Sequence, residues 1–174
     1  MSDMSRLCSR DPERPTIAKP FAVEHDGKTW CCATDGVCLL ARCDLPAEVV
    51  PDAPRVDKIL LAATGPGKPS TVVHLRAGFG SPLWGDPCPC CGQTVGCLWP
   101  APERLVIFRG RVVNAVLAAR ILDCVPDGDG LCEVGKSGED EDEDEGSLWM
   151  RGETWIALLM PFRAEQDGLS EVAP

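Results

Sequence analysis

The longest run of apolar residues in the chain covers residues 155–160, Trp-Ile-Ala-Leu-Leu-Met, and contains no polar position. Successive side chains of an extended strand point to opposite faces of a sheet, so this run needs apolar cover on both faces. Pro161 follows and has no amide hydrogen to donate to a neighbouring strand. The pattern therefore predicts a buried strand whose pairing ends at Pro161.

Shorter apolar runs predict an antiparallel meander near the start of the folded region. Two β-prone segments flank Asp26-Gly27, a dipeptide typical of tight hairpin turns. A second turn, Asp35-Gly36, leads into a third run at residues 37–42. Further strands are predicted at residues 71–76, 131–134 and 147–150, and residues 105–108 are predicted to be a strand or the lead-in to a helix.

Two segments have the periodicity of amphipathic helices, residues 56–63 and residues 111–122. The apolar faces consist of Val56, Ile59, Leu60 and Ala63 in the first, and of Val113, Val116, Leu117 and Ile121 in the second. Strands and helices together predict an α+β fold in which two helices accompany an antiparallel sheet.

The length of 174 residues predicts one compact domain, which we assign to residues 21–163. Residues 1–20 lack periodicity and are predicted to be a flexible lead-in, and residues 164–174 a flexible tail. Within the domain, residues 78–102 form a cysteine-rich insertion and residues 136–146 an acidic loop.

Charge is unevenly distributed along the chain. The formal net charge is −10, but the seven consecutive acidic residues at 139–145 leave only −3 for the rest. This run is predicted to be a solvated loop, with mimicry of a nucleic-acid backbone as an alternative. Residues 104–122 contain no acidic residue, which favours either an ordinary solvated face or a surface that faces phosphates. The basic residues there are Arg104, Arg109, Arg111 and Arg120.

No apolar run approaches the roughly 20 residues of a membrane span, and the first residues lack the apolar core of a signal peptide. A cytoplasmic protein without membrane contact is therefore predicted. In a reducing compartment, clustered cysteines more often bind metal or pack as small apolar groups than form disulfides. The strand cysteines are predicted to pack as small apolar groups, and these are Cys31, Cys32, Cys38 and Cys43.

The insertion contains Cys88-Pro-Cys-Cys91-Gly92, in which two thiolates three residues apart can bind one metal ion. Cys97 is the predicted third ligand of a structural zinc ion. The spacing does not fix the fourth ligand, for which Cys90, His74, Cys124 and Cys132 are candidates. Free thiols and an iron–sulfur or redox role remain open as other interpretations of the cluster.

Enzymatic function is not predicted. The two histidines, His25 and His74, have no neighbouring nucleophile at a recognised spacing. The segment at residues 65–70 lacks the glycine frame and the following helix of a phosphate-binding loop.

Two segments resemble the β sliding clamp of bacterial DNA polymerase III. Residues 26–39 contain Ala-Thr-Asp-Gly-Val-Cys-Leu, which is similar to the Ala-Thr-Asp-Gly-His-Arg-Leu of clamps. Residues 157–163, Ala-Leu-Leu-Met-Pro-Phe-Arg, are similar to the closing Val-Met-Pro-Met-Arg. The intervening helices and strands follow in clamp order, so the resemblance covers roughly residues 20–76 and 104–163 and implies a single clamp-like domain.

In clamps these two segments line one hydrophobic groove, which binds short peptides of polymerases and repair proteins. The resemblance implies one wall formed by Thr34, Gly36 and Leu39, and another formed by Leu158, Met160, Pro161, Phe162 and Arg163. An apolar groove that contains methionine can adapt to varied peptide anchors.

The resemblance implies a role in DNA replication or repair, encoded by a bacterium or a phage, with double-stranded DNA as a further candidate partner. Val37-Cys38 stands where clamps have His-Arg, so polar contacts from that turn are absent. Clamps also have three such domains, so a ring here would require several copies of the chain. The alternatives are a monomeric module that captures peptides without encircling DNA, and a zinc-stabilised regulatory or inhibitory protein.

Overall fold

The computed structural model describes residues 4–64, 70–74, 105–108, 110–126, 131–136, 147–162 and 169–172. These residues form a mixed fold of mainly antiparallel sheets with few helices, as the hydrophobic pattern predicts. Among them, no helix is long and apolar enough to cross a membrane.

The described residues form ten strands and two α-helices. The strands are β1 (Phe21–His25), β2 (Lys28–Thr34), β3 (Cys38–Arg42), β4 (Ser70–His74), β5 (Leu105–Phe108), β6 (Arg111–Asn114), β7 (Leu131–Lys136), β8 (Leu148–Arg151), β9 (Trp155–Leu159) and β10 (Ser170–Val172). The helices are α1 (Asp57–Thr64) and α2 (Ala115–Cys124).

Seven strands form the large sheet in the order β1-β2-β3-β9-β8-β7-β4, and all neighbours are antiparallel. The predicted meander is confirmed as β1 to β3. Asp26 and Gly27 join its first two strands with φ values of 51° and 69°, the left-handed conformation that a two-residue hairpin turn requires.

Strand β9 lies between β3 and β8, and all five of its residues are buried. Its side chains alternate between two apolar clusters on opposite faces of the sheet. Trp155, Ala157 and Leu159 belong to the cluster that contains α2, which we call the α2 face. Ile156 and Leu158 belong to the cluster that contains Val56 and Leu60, called the α1 face. The predicted cover on both faces is therefore confirmed.

The predicted helix at residues 111–122 is wrong at its start. Arg111–Asn114 is a strand paired with β5, and the helix begins at Ala115. The Asn114 side chain accepts a hydrogen bond from the Val116 amide and caps the helix. Valine at two successive positions favours a strand before this cap, because β-branched side chains suit a pleated sheet.

The start of the chain packs on the core, in contrast to the predicted flexible lead-in. Met4–Leu7 and Pro15–Ile17 are 3-10 helices. Met4 and Leu7 are buried on the α2 face, whereas Ile17 is buried on the α1 face. Residues 4–17 therefore pass from one face of the large sheet to the other, which a segment without regular periodicity does not reveal.

The small sheet has the order β10-β5-β6, in which β10 is parallel to β5. Ser170–Val172 is therefore a strand, within a segment predicted to be a flexible tail. Two backbone hydrogen bonds flank Pro161, the first within the large sheet and the second to β6 of the small sheet. The Met160 amide donates to the Val37 carbonyl at 3.0 Å, and the Phe162 amide donates to the Val112 carbonyl at 2.8 Å. Pro161, which has no amide hydrogen, lies between these two donors.

We expect Leu7→Ala to lower the free energy of unfolding by about 2–5 kcal/mol, because it empties a fully buried site in the α2 face. Val49→Ala is the control, since Val49 is 84% exposed. Denaturant unfolding of the two variants measures the difference. Equal stabilities would contradict the assignment of residues 4–8 to the core.

Candidate peptide-binding site

The turn between β2 and β3 is held by its own side chains. The Thr34 hydroxyl donates to the Cys38 carbonyl at 2.5 Å and accepts from the Gly36 amide at 3.0 Å. Asp35 Oδ1 accepts from the amides of Val37 at 3.0 Å and of Cys38 at 2.9 Å. Gly36 has a φ of 95°, which favours glycine. Local side-chain acceptors of this kind fix a turn without help from neighbouring strands.

The structure brings this turn next to the end of β9. The register pairs Cys38 with Leu159 and Leu39 with Leu158. The bond from the Met160 amide to the Val37 carbonyl extends the pairing to the turn itself. The two segments expected to form opposite groove walls are therefore direct neighbours, although the chain between them is long.

Three of the expected groove residues lie on the α1 face. Leu39 and Leu158 are buried there, and strand alternation places Thr34 on the same side. Met160 is 46% exposed, and Thr34 is half-buried. Met160 therefore supplies accessible apolar surface at this end of the sheet.

Other expected groove residues lie elsewhere. Phe162 packs against the cluster on the α2 face, and its amide is bonded to β6, so it lies on the face opposite Leu39 and Leu158. Phe162 lies on this face because the chain stops pairing with β3 at Pro161 and turns to the small sheet. Pro161 itself is half-buried. Arg163 lies outside the described residues.

One further residue at this turn was not predicted. Arg14 reaches Gly36, where a Cβ added to the glycine would lie 2.6 Å from Arg14 Nη1. Its side chain is 57% exposed and forms an ion pair with Asp11, Nε to Oδ2, at 3.8 Å. A cation therefore lies at the rim of the turn, supplied by the N-terminal segment. Only the folded position of that segment reveals it, since nothing in its local sequence connects it to Gly36.

The sequence predicts that the four arginines of residues 104–122 lie either on an ordinary solvated face or on a surface that faces phosphates. Arg111 and Arg120 are both buried in the folded chain, so this part of the prediction is wrong for them. Arg120 pairs with Asp35 in the interior. Arg104 and Arg109 lie outside the described residues. The two described arginines of this run are therefore buried charges, and each interacts with other parts of the chain.

The described strand cysteines pack in the interior. Burial raises the pKa of Cys32 to about 12, and burial also raises the pKa of Cys31 and of Cys38 above the ordinary thiol value. The nearby Asp35 carboxylate adds to the increase for Cys38. Protonated thiols are poor nucleophiles and poor metal ligands, so these cysteines act as small apolar side chains.

The predicted zinc ligands Cys88, Cys90, Cys91 and Cys97 lie outside the described residues. Of the alternative fourth ligands, Cys124 is buried in α2, and only the backbone of His74 and Cys132 is described. Within the described ranges, no group of three or more histidine, cysteine or acidic side chains could hold a metal ion.

No protein-family model, curated protein or solved structure matches this chain.

We expect iodoacetamide at pH 8 to spare Cys31, Cys32 and Cys38 in the native protein and to modify them after unfolding. Their raised pKa values keep them protonated, and burial blocks the reagent. Cys43, which is only half-buried, serves as the internal reference. Mass spectrometry of the digested protein measures modification at each site. Native labelling of Cys32 as fast as Cys43 would contradict this packing.

Proposed function

We propose that this chain is a non-enzymatic, clamp-like binding module that captures a short hydrophobic peptide at the end of β9. The observation that carries the proposal is the backbone hydrogen bond from the exposed Met160, just after β9, to Val37, just after the Thr34–Gly36 turn. Replication or repair proteins are the proposed source of the peptide, on the basis of the resemblance to clamps.

The chemistry of the surface supports a ligand with an aliphatic or aromatic anchor. Methionine is flexible and polarisable, so it can adapt to anchors of different shape. Leu39 and Leu158 are buried in the adjacent strands β3 and β9 at this end of the sheet. Peptides that add an anchor to such a surface bind mainly through a few well-buried side chains.

We place peptide capture ahead of a ring around DNA. Electrostatic contact with a phosphate backbone needs accessible cations, and Arg111 and Arg120 are buried. A ring also requires several copies with a closing interface. The solution mass separates the two functions, since capture requires only a monomer and encirclement requires a multimer.

Met160→Ala is expected to weaken binding of a fluorescently labelled clamp-binding peptide about tenfold, because it removes the exposed apolar contact. Fluorescence anisotropy titration with the purified protein measures the affinity. Val49→Ala is the matched control, since it also removes an exposed apolar side chain and lies outside the site. Absence of saturable binding to the unmodified protein would refute the proposed function.

The cysteine-rich insertion carries a separate proposal, a structural zinc ion bound by Cys88, Cys91 and Cys97 with Cys90 as fourth ligand. Four thiolates suit tetrahedral zinc, and such a site would stabilise a segment poor in apolar residues. The sequence spacing supports it, and the described residues do not bear on it.

Metal analysis of the purified protein is expected to find about one zinc ion per chain, and Cys88→Ser/Cys91→Ser is expected to lose it. Cys31→Ser/Cys32→Ser is a control for the loss of two thiols, since both lie buried in β2. Unchanged zinc content in the first variant would exclude these ligands.

A further inference from the structure

A buried ion pair connects the turn of the proposed site to helix α2. Arg120 Nη1 lies 3.5 Å from Asp35 Oδ2, and the side chains are 7% and 2% exposed. Arg120 Nη2 also donates to the Arg6 carbonyl. The pair therefore joins three segments that are distant in sequence: the turn after β2, helix α2 and the N-terminal 3-10 helix.

The two oxygens of Asp35 have different surroundings. Oδ1 accepts from the Val37 and Cys38 amides and from the Cys38 thiol, the last at 3.4 Å. Oδ2 has no hydrogen-bond partner among the described residues, and neither does Arg120 Nε. The contact between Oδ2 and the guanidinium is thus electrostatic, with Arg120 as the counter-charge that the structure shows beside this carboxylate.

A buried carboxylate without its counter-charge is strongly unfavourable, whereas a neutral pair of similar shape at the same place is not. Loss of Arg120 would therefore leave the buried Asp35 carboxylate without its counter-charge. Asp35 could escape to solvent only by releasing the Val37 and Cys38 amides, which would open the turn. Val37 is also the residue whose carbonyl accepts the Met160 amide.

We propose that Arg120 is a positioning residue of the peptide site, which fixes the Asp35 turn and through Val37 the position of Met160. This inference rests on the proposed function for its binding consequence. It assigns a role in the site to a helix residue that does not itself contact the peptide.

The first test is a double-mutant cycle with Arg120→Met and Asp35→Asn. Asparagine retains an oxygen that can accept from the Val37 and Cys38 amides, while it removes the negative charge. We expect Arg120→Met alone to raise the unfolding equilibrium constant by a factor on the order of 100 to 1,000. The double variant should raise the unfolding equilibrium constant less than about tenfold relative to the unmodified protein, because no unpaired charge remains. If the changes in unfolding free energy of the two single variants add up to that of the double variant, the inference fails.

The second test measures the turn itself by amide hydrogen exchange. Under native conditions, Arg120→Met should reduce protection of the Val37 and Cys38 amides, and Asp35→Asn/Arg120→Met should restore it. Arg42→Met is the matched control. It removes another buried arginine, which bonds Asp44 and the Cys124 carbonyl near the other end of β3, so its effect should spare these two amides.

The third test is the peptide titration at equal folded fraction. Arg120→Met should weaken binding about tenfold, the double variant should restore it, and Arg42→Met should leave it unchanged. If the unmodified protein binds and Arg120→Met binds equally well, the inference fails while the proposed function stands. If the unmodified protein does not bind, the proposed function fails, and with it any role of Arg120 in binding; the exchange data then decide only whether Arg120 fixes the turn.

Discussion

Strand β9 can lie at the centre of the large sheet only if both of its faces are covered by apolar side chains. All five residues are buried, so neither face is left for water. Helix α2 and the N-terminal 3-10 helix cover one face, and α1 with Ile17 covers the other. The positions of these elements follow from that requirement, because exposure of either face would place several large apolar side chains in water.

The same requirement explains why the accessible chemistry lies at the end of the sheet. The residues of β9 are all buried, and an apolar side chain becomes accessible only after the strand, at Met160 beside Pro161. There the turn before β3 meets Met160, and Arg14 reaches Gly36 from the N-terminal segment. The apolar Met160 side chain and the Arg14 cation both lie beside this turn, because three segments end or turn there.

Local patterns in the sequence were sufficient for much of this fold. The Asp26-Gly27 turn, the apolar run of β9 and the periodicity of α1 each depend on interactions within a few residues. The strand at residues 111–114 has a local signal in the sequence, since Asn114 is a favourable helix cap. A cap four positions inside an apparent helix indicates where the strand ends.

The proximity of the Asp35 turn and Met160 was expected from the resemblance, whereas the remaining features of the site depend on distant contacts. Phe162 belongs to the opposite face because the chain changes sheets at Pro161. Arg120 looked like a surface cation because a helix pattern does not show which polar residue has a buried partner. Its partner lies in another element, so no spacing rule could have connected the two.

The sheet order has a consequence for how the chain acquires its structure during synthesis. Strands β3 and β9 are adjacent, yet residues 43–154 lie between them. Loop closure over such a distance costs entropy before the contacts form, and translation supplies residues one at a time. The meander is therefore synthesised well before the strand that pairs with β3, and its apolar β3 edge stays unpaired until β9 is available.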